Sequence, residues 1–149
     1  MIVVDANLLI YAHDSTAPQY PQARQWLESA MRSPQTIGLP WVSIWAFLRI
    51  TTNRRATSQP LTAGAAFAIV ERWLRLPNIR ALSPSSAHLA ILSELAVERS
   101  IVGPNLTDAT LAALAIEHGA TLASTDADFG QFLPRLKWVN PLWPTTLTH

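Results

Sequence analysis

Apolar and polar positions along this chain switch repeatedly between two spacings, and the switches lay out its elements. Ile2-Val3-Val4 is a short apolar run of β-branched residues and reads as a buried strand. Leu8 to His13 fits a short helix that closes near Asp14-Ser15-Thr16. Pro18 and Pro21 punctuate a turn. Gln22 to Arg32 then repeats at the helical period, with Ala23, Trp26, Leu27, Ala30 and Met31 on one face. Thr36-Ile37-Gly38-Leu39 is a second strand, closed by Pro40. Trp41 to Thr52 is apolar at 41, 42, 44, 45, 47, 48 and 50, which is a helical pattern, and Asn53-Arg54-Arg55 follows as a basic loop.

Thr62 is placed to cap a helix that runs to Leu76 and stops at Pro77. Ile79 to Leu82 is the third strand, and Ser83-Pro84-Ser85 opens a helix reaching about Arg99. After a loop containing Gly103-Pro104-Asn105, Thr107 is positioned as the N-cap of an almost wholly apolar helix, Asp108 to His118. A helix apolar all round is a buried one, and Gly119 suits its end. Thr121 to Ser124 is the fourth strand, Asp126 to Phe132 a short turn or helix, and Leu136 to Val139 the fifth strand. Asn140 to His149 is expected to be a loosely held tail. Strands alternating with helices imply parallel pairing and right-handed crossovers, so residues 1–149 are expected to form one three-layer α/β sandwich around a small sheet.

Composition narrows the surroundings more than the chemistry. Apolar residues make up 49% of the chain, but no run is long and uniform enough to span a bilayer, and no basic segment precedes an apolar one at the start. Neither a membrane nor a secretory route is therefore expected. The absence of cysteine excludes disulfides and thiolate metal sites and is compatible with the cytoplasm. A net charge of +1 selects no partner. The basic set is ten arginines and the single Lys137, so any phosphate contacts would be arginine contacts.

Candidate chemistry lies in acids that recur where strands hand over to helices. Asp5 follows the first strand, Asp108 opens the buried helix, and Asp126 and Asp128 follow the fourth strand. In an open parallel sheet, ligands bind outside the carboxyl ends of the strands, at the point where strand order reverses. Each acid also has a plainer explanation: Asp5 or Asn7 as a helix cap, Asp108 as a first-turn acid favoured by the helix dipole, Asp126 or Asp128 as a turn cap. Together on one sheet edge, without basic partners, they repel one another and call for protons or a divalent cation. An oxygen-only donor set points to Mg²⁺ or Mn²⁺ rather than zinc.

Three segments, VVDANLLIYA, FLRITTNRR and NLTDATLAALAIEHGATLASTDADF, together with the closing LKWVNPL, resemble the PIN-domain ribonucleases, and within them the VapC-type toxins of bacterial toxin–antitoxin pairs. The resemblance runs from Ile2 to about Leu142. It implies a five-stranded parallel sheet in the order 3-2-1-4-5 and Mg²⁺- or Mn²⁺-dependent cleavage of RNA phosphodiesters. It implies a VapB-like antitoxin as partner and homodimerisation. On these positions Asp5, Asp108 and Asp126 match the family's catalytic and metal-binding acids, and Asp128 a frequent extra acid. Asn7 and Thr125 match polar residues lining the same site.

One position departs from the family pattern. Ala46, in Ser43-Ile44-Trp45-Ala46-Phe47-Leu48-Arg49, stands where the family usually has glutamate. No neighbouring acid can replace it, since none lies between Glu28 and Glu71. The resemblance thus carries two expectations: an endoribonuclease of reduced activity, or a catalytically impaired PIN-like module that binds RNA or protein.

Around that position, Arg49 falls on the same helical side as Ala46 and is placed to meet a phosphate or an acidic partner residue. Arg54 and Arg55 are candidate RNA-backbone contacts. Trp41 and Trp45 are placed to line a partner groove, with Trp45 and Trp73 expected to be exposed. His13, His88, His118 and His149 form no spaced ligand set. A haloacid-dehalogenase-type phosphatase would need a second aspartate where Asn7 stands and a lysine ahead of Asp126. A receiver domain fails on the same missing lysine.

Overall fold

β1 (Ile2–Val4) lies at the centre of a five-stranded sheet ordered β3-β2-β1-β4-β5 in a computed structural model that describes residues 1–144. β2 is Ile37–Pro40, β3 Ile79–Leu82, β4 Thr121–Ala123 and β5 Lys137–Val139, and all neighbours pair in parallel. Ile2 is registered with Ile37 on one side and Thr121 on the other. The expected order and direction are both found. The order reverses at β1, so the crevice between the β1 and β4 ends is the switch point.

The sheet is covered on both faces because successive strand residues point opposite ways. Val3, Leu82 and Leu122 enter one core with Leu95, Leu114 and Phe132, while Val4, Ile79 and Ala123 enter a second with Leu8, Leu27, Ile44 and Phe47. The second core lies under α1 (Ala6–Tyr11), α2 (Tyr20–Arg32), α3 (Trp41–Thr51) and α4 (Ala63–Arg75). The first lies under α5 (His88–Arg99), α6 (Asn105–Glu117) and a 3₁₀ turn at Ala127–Phe132. This is the three-layer sandwich expected from the alternation of elements. Close packing appears at Gly38, where an added Cβ would stand 2.5 Å from Leu82 Cδ1, so any side chain there would have to displace the end of Leu82.

Element boundaries shift where turn chemistry intervenes. α2 begins at Tyr20 because Pro21 fits a first turn, where its missing N–H has no partner to lose. Thr62 caps α4 as expected, its hydroxyl accepting from Ala65 N–H at 3.1 Å. Ser83-Pro84-Ser85 does not open α5, which starts at His88. Ser85 is held as a turn instead: its amide donates to Glu117 at 2.9 Å and its hydroxyl accepts from Ala87 N–H. Thr107 is not the cap of α6. Gly103 turns the chain at φ +61 and Pro104 is already helical at φ −58, so the helix starts at Asn105 and Thr107 lies inside it.

The segment after β5 is anchored at its start. Asn140 is buried and its side chain accepts from Leu142 N–H, Leu142 packs on the second core, and Trp143 meets Trp138 edge to face. The remainder of the expected loose tail, 145–149, lies outside the described residues.

Candidate active site

Parallel pairing of β1 with β4 carries Asp5 and Ser124 to adjacent places at the carboxyl edge of the sheet. The Asp5 amide donates to Ala123 C=O at 3.0 Å, which extends the strand pairing by one residue. Asp5 occupies the N-cap position of α1, yet its side chain makes no capping hydrogen bond. It accepts instead from the Ser124 hydroxyl at 2.7 Å. Ser124 is fully buried and its oxygen also receives Asn7 Nδ2 at 3.1 Å and the Asp126 amide at 3.0 Å. Asn7 Oδ1 in turn takes the Thr125 amide at 3.5 Å. One hydroxyl therefore ties the first acid, the α1 entry and the turn bearing the later acids into a single network.

Ser124 was not among the residues singled out from the sequence. Its only sequence signal is a hydroxyl residue between a strand and Thr125-Asp126, which many ordinary turns share.

The later acids converge from the other direction. Asp126 caps the 3₁₀ turn, its Oδ1 accepting from Asp128 N–H at 2.9 Å, so the capping explanation holds for one of its oxygens. Asp108 stands in the first turn of α6. Carboxylate oxygens of Asp108, Asp126 and Asp128 lie within 4.8 Å of one another. Asp5 is outside that tight trio but close enough for its charge to be felt.

Burial, with repulsion from Asp126, raises the Asp5 carboxyl above the ordinary aspartate value, although the Ser124 hydrogen bond works against it. Asp108 is raised too, first by burial and then by Asp126, Asp5 and Asp128. No ion pair offsets these charges among the described residues.

Beside the acids is a cavity of about 350 Å³ whose wall includes Asp5, Ser43, Trp45, Ala46, Arg49 and Asp108. Ala46 is half-buried there, so a longer side chain at 46 would enter the same space as Asp5 and Asp108. Arg49 is exposed at the rim. Ser43 Oγ is buried without a hydrogen-bond partner among the described residues. Among the described residues the carboxylates have no ion-pair partner and the Ser43 hydroxyl has no hydrogen-bond partner. An oxygen-ligated divalent cation with retained waters fits such a donor set.

Not every residue singled out from the sequence reaches the site. Arg54 and Arg55 are exposed in the loop after α3 and do not line the acid cavity. Trp73 is buried, contrary to expectation, because α4 packs it against Phe47 and His13, at ring-centroid distances of 4.8 and 5.5 Å. Trp45 is exposed. His88 and the buried Glu117 pair at 2.9 Å, a contact that joins α5 to α6.

Sheet order, switch-point acids and sequence agree on a class: the PIN-domain family model matches residues 2–132, and the chain belongs to that family. Its relatives include ribonuclease VapC33 of Mycobacterium tuberculosis, 37% identical over 142 residues, covering 95% of this chain and 99% of the relative. Ribonuclease VapC37 of the same organism is 35% identical over 141 residues, covering 95% and 97%. Among solved structures, VapBC2 of Rickettsia felis bound to a promoter DNA fragment superposes with a TM-score of 0.66 at 20% identity, covering 94% of this chain and 98% of the other. VapC20 of M. tuberculosis, a toxin cleaving the sarcin–ricin loop, gives 0.62 at 19% identity, with coverage of 87% and 93%. At those identities the superpositions establish the fold. Among the described residues no helix is long and apolar enough to cross a membrane.

Proposed function

We propose that this chain is a divalent-metal-dependent endoribonuclease, the toxin of a cytoplasmic toxin–antitoxin pair held in check by a VapB-like antitoxin. The observation that carries this reading is the gathering of Asp108, Asp126 and Asp128 beside Asp5, none of them in an ion pair among the described residues. These four acids would hold Mg²⁺ or Mn²⁺. When bound, such a cation polarises a phosphodiester and acidifies a coordinated water. The chain's own residues orient the reaction. Ser124 fixes one oxygen of Asp5, the Asp128 amide fixes one oxygen of Asp126, and Asn7 with the Thr125 backbone holds the β1 and β4 ends together. Arg49, at the cavity rim, would draw in an anionic backbone.

Ala46 leaves a neutral wall where the family pattern has a carboxylate, and this favours weak cation binding and slow turnover. It also supports a second reading, a PIN-like module that binds RNA or protein without cutting. Incubating the pure chain with RNA in Mg²⁺, in Mn²⁺ and in EDTA separates the two. The nuclease reading expects cleavage that needs the cation and disappears in Asp126→Asn. RNA binding without turnover in either metal would assign the second reading. Light scattering tests the homodimer that family membership suggests.

A further inference from the structure

Ser43, Thr51 and Thr52 are the hydroxyl residues of α3 and its end, and two of them behave alike. Thr51 donates to Phe47 C=O at 2.6 Å and Thr52 to Leu48 C=O at 2.7 Å, each reaching the carbonyl four residues back. Ser43 has no such bond. It is the third residue of the helix, so the carbonyl four residues back is that of Leu39 in β2. The residue is 2% exposed, and its hydroxyl has no hydrogen-bond partner among the described residues. Buried polar groups are rarely left in this state, so the exception asks for a partner.

Ser43 borders the cavity that holds Asp5 and Asp108. It stands three residues before Ala46, so both occupy one side of α3. The α3 wall of that cavity is Val42, Ser43, Trp45, Ala46 and Arg49. Indole and guanidinium side chains only donate hydrogen bonds, and valine and alanine side chains make none. Ser43 is therefore the one side chain on that wall able to accept one. A small divalent cation bound through few carboxylates keeps several waters, whose protons point outward. On the α3 side those protons have a single side-chain acceptor.

We propose that Ser43 is a positioning residue of the acid site: its hydroxyl accepts from a cation-held water on the side where Ala46 supplies no carboxylate. Serine has one side-chain torsion with three staggered positions, and at the start of a helix no preceding turn blocks them. The hydroxyl is thus free to swing toward the cavity that the residue already borders. This rests on the cation reading of the acids and extends it to a residue outside the acid set.

The test is isothermal titration of Mn²⁺ into the RNA-free protein, with Tm measured in EDTA and in excess Mn²⁺. Asp108→Asn marks the titrated site as the acid cluster and should lose most of the affinity. Ser43→Ala should bind Mn²⁺ about tenfold more weakly, the lower end of the loss of about 10–100-fold that removing a partner of metal ligands causes. Its Tm in EDTA should equal or exceed that of the unaltered chain, because an unpartnered buried hydroxyl has gone. Beside Ala46→Glu, whose carboxylate accepts from the same water, the Ser43→Ala penalty should shrink to about twofold or less. A purely structural serine would keep its penalty whatever stands at 46.

Three results would overturn the role of Ser43 and leave the acid site standing: unchanged Mn²⁺ affinity in Ser43→Ala, a lower Tm of that variant in EDTA, or an undiminished penalty beside Ala46→Glu. No Mn²⁺ binding by the unaltered chain, or binding indifferent to Asp108→Asn, would sink the cation reading and the role of Ser43 with it.

Discussion

Asp108→Asn is expected to stabilise the cation-free protein at neutral pH while removing its response to Mg²⁺. The exchange keeps shape and deletes one charge from a trio whose oxygens lie within 4.8 Å. Asp108 is partly exposed, so water sets the dielectric, and at that distance each of two like-charge contacts is worth about 0.9 kcal/mol. Against that relief stands the α6 dipole, which favours a first-turn acid by about 0.3–1 kcal/mol. Repulsion wins by about 1 kcal/mol, a rise in Tm of about 2–4 °C for a domain of this size.

The pH dependence has a definite sign. Asp108 is raised above its ordinary 3.8 in the fold, so the folded state holds its proton more tightly than the unfolded chain. Its contribution therefore favours the fold most in acid and is lost as pH rises from 3.8 through the raised value. The advantage of Asp108→Asn should be full at neutral pH and vanish below about pH 4. Differential scanning calorimetry in EDTA and in excess Mg²⁺, at both pH values, measures all of this. A variant that melts several degrees lower at neutral pH, or that gains as much from Mg²⁺ as the unaltered chain, would refute the reasoning.

Ala46→Glu should tighten Mn²⁺ in isothermal titration and raise RNA turnover by about tenfold or more, since about 1.4 kcal/mol of barrier is tenfold in rate. It should also lower Tm in EDTA, because one more acid enters the cavity. Equal affinity and equal rates in the two proteins would remove position 46 from the site. Ser124→Ala strips partners from Asp5, Asn7 and the Asp126 amide at once, and is expected to lower unfolding free energy by about 1–3 kcal/mol in urea and to weaken Mn²⁺ binding. His13 is held below its ordinary 6.5, mainly by burial, so its share of stability falls as pH drops from 6.5 through the depressed value. His13→Phe should flatten that acid-side loss in urea titrations on either side of this range, and an unchanged slope would exonerate His13.

Much of this protein follows from its sequence because local signals agree with the global pattern. Short apolar runs separated by helical periods leave parallel pairing as the economical fold, and Asp5, Asp108 and Asp126 stand next to the elements that define the sheet edge. Resemblance to the family supplied the strand order, since periodicity orders elements along the chain but not across the sheet. Helix starts slipped where a backbone dihedral, invisible in composition, decided them: Gly103 and Pro104 begin α6 earlier than Thr107 would.

Only the tertiary structure decided which side chains complete the site and which faces stay open. Ser124 reaches Asp5 across 119 residues because β1 and β4 pair in register, and nothing local to either residue encodes that meeting. Trp73 and Trp45 both sit on apolar helices, yet α4 lays Trp73 against Phe47 while the stripe of α3 that carries Trp45 remains exposed. A sequence specifies a side chain's position around its own helix. Burial depends on what packs over that face, which is a property of the whole fold.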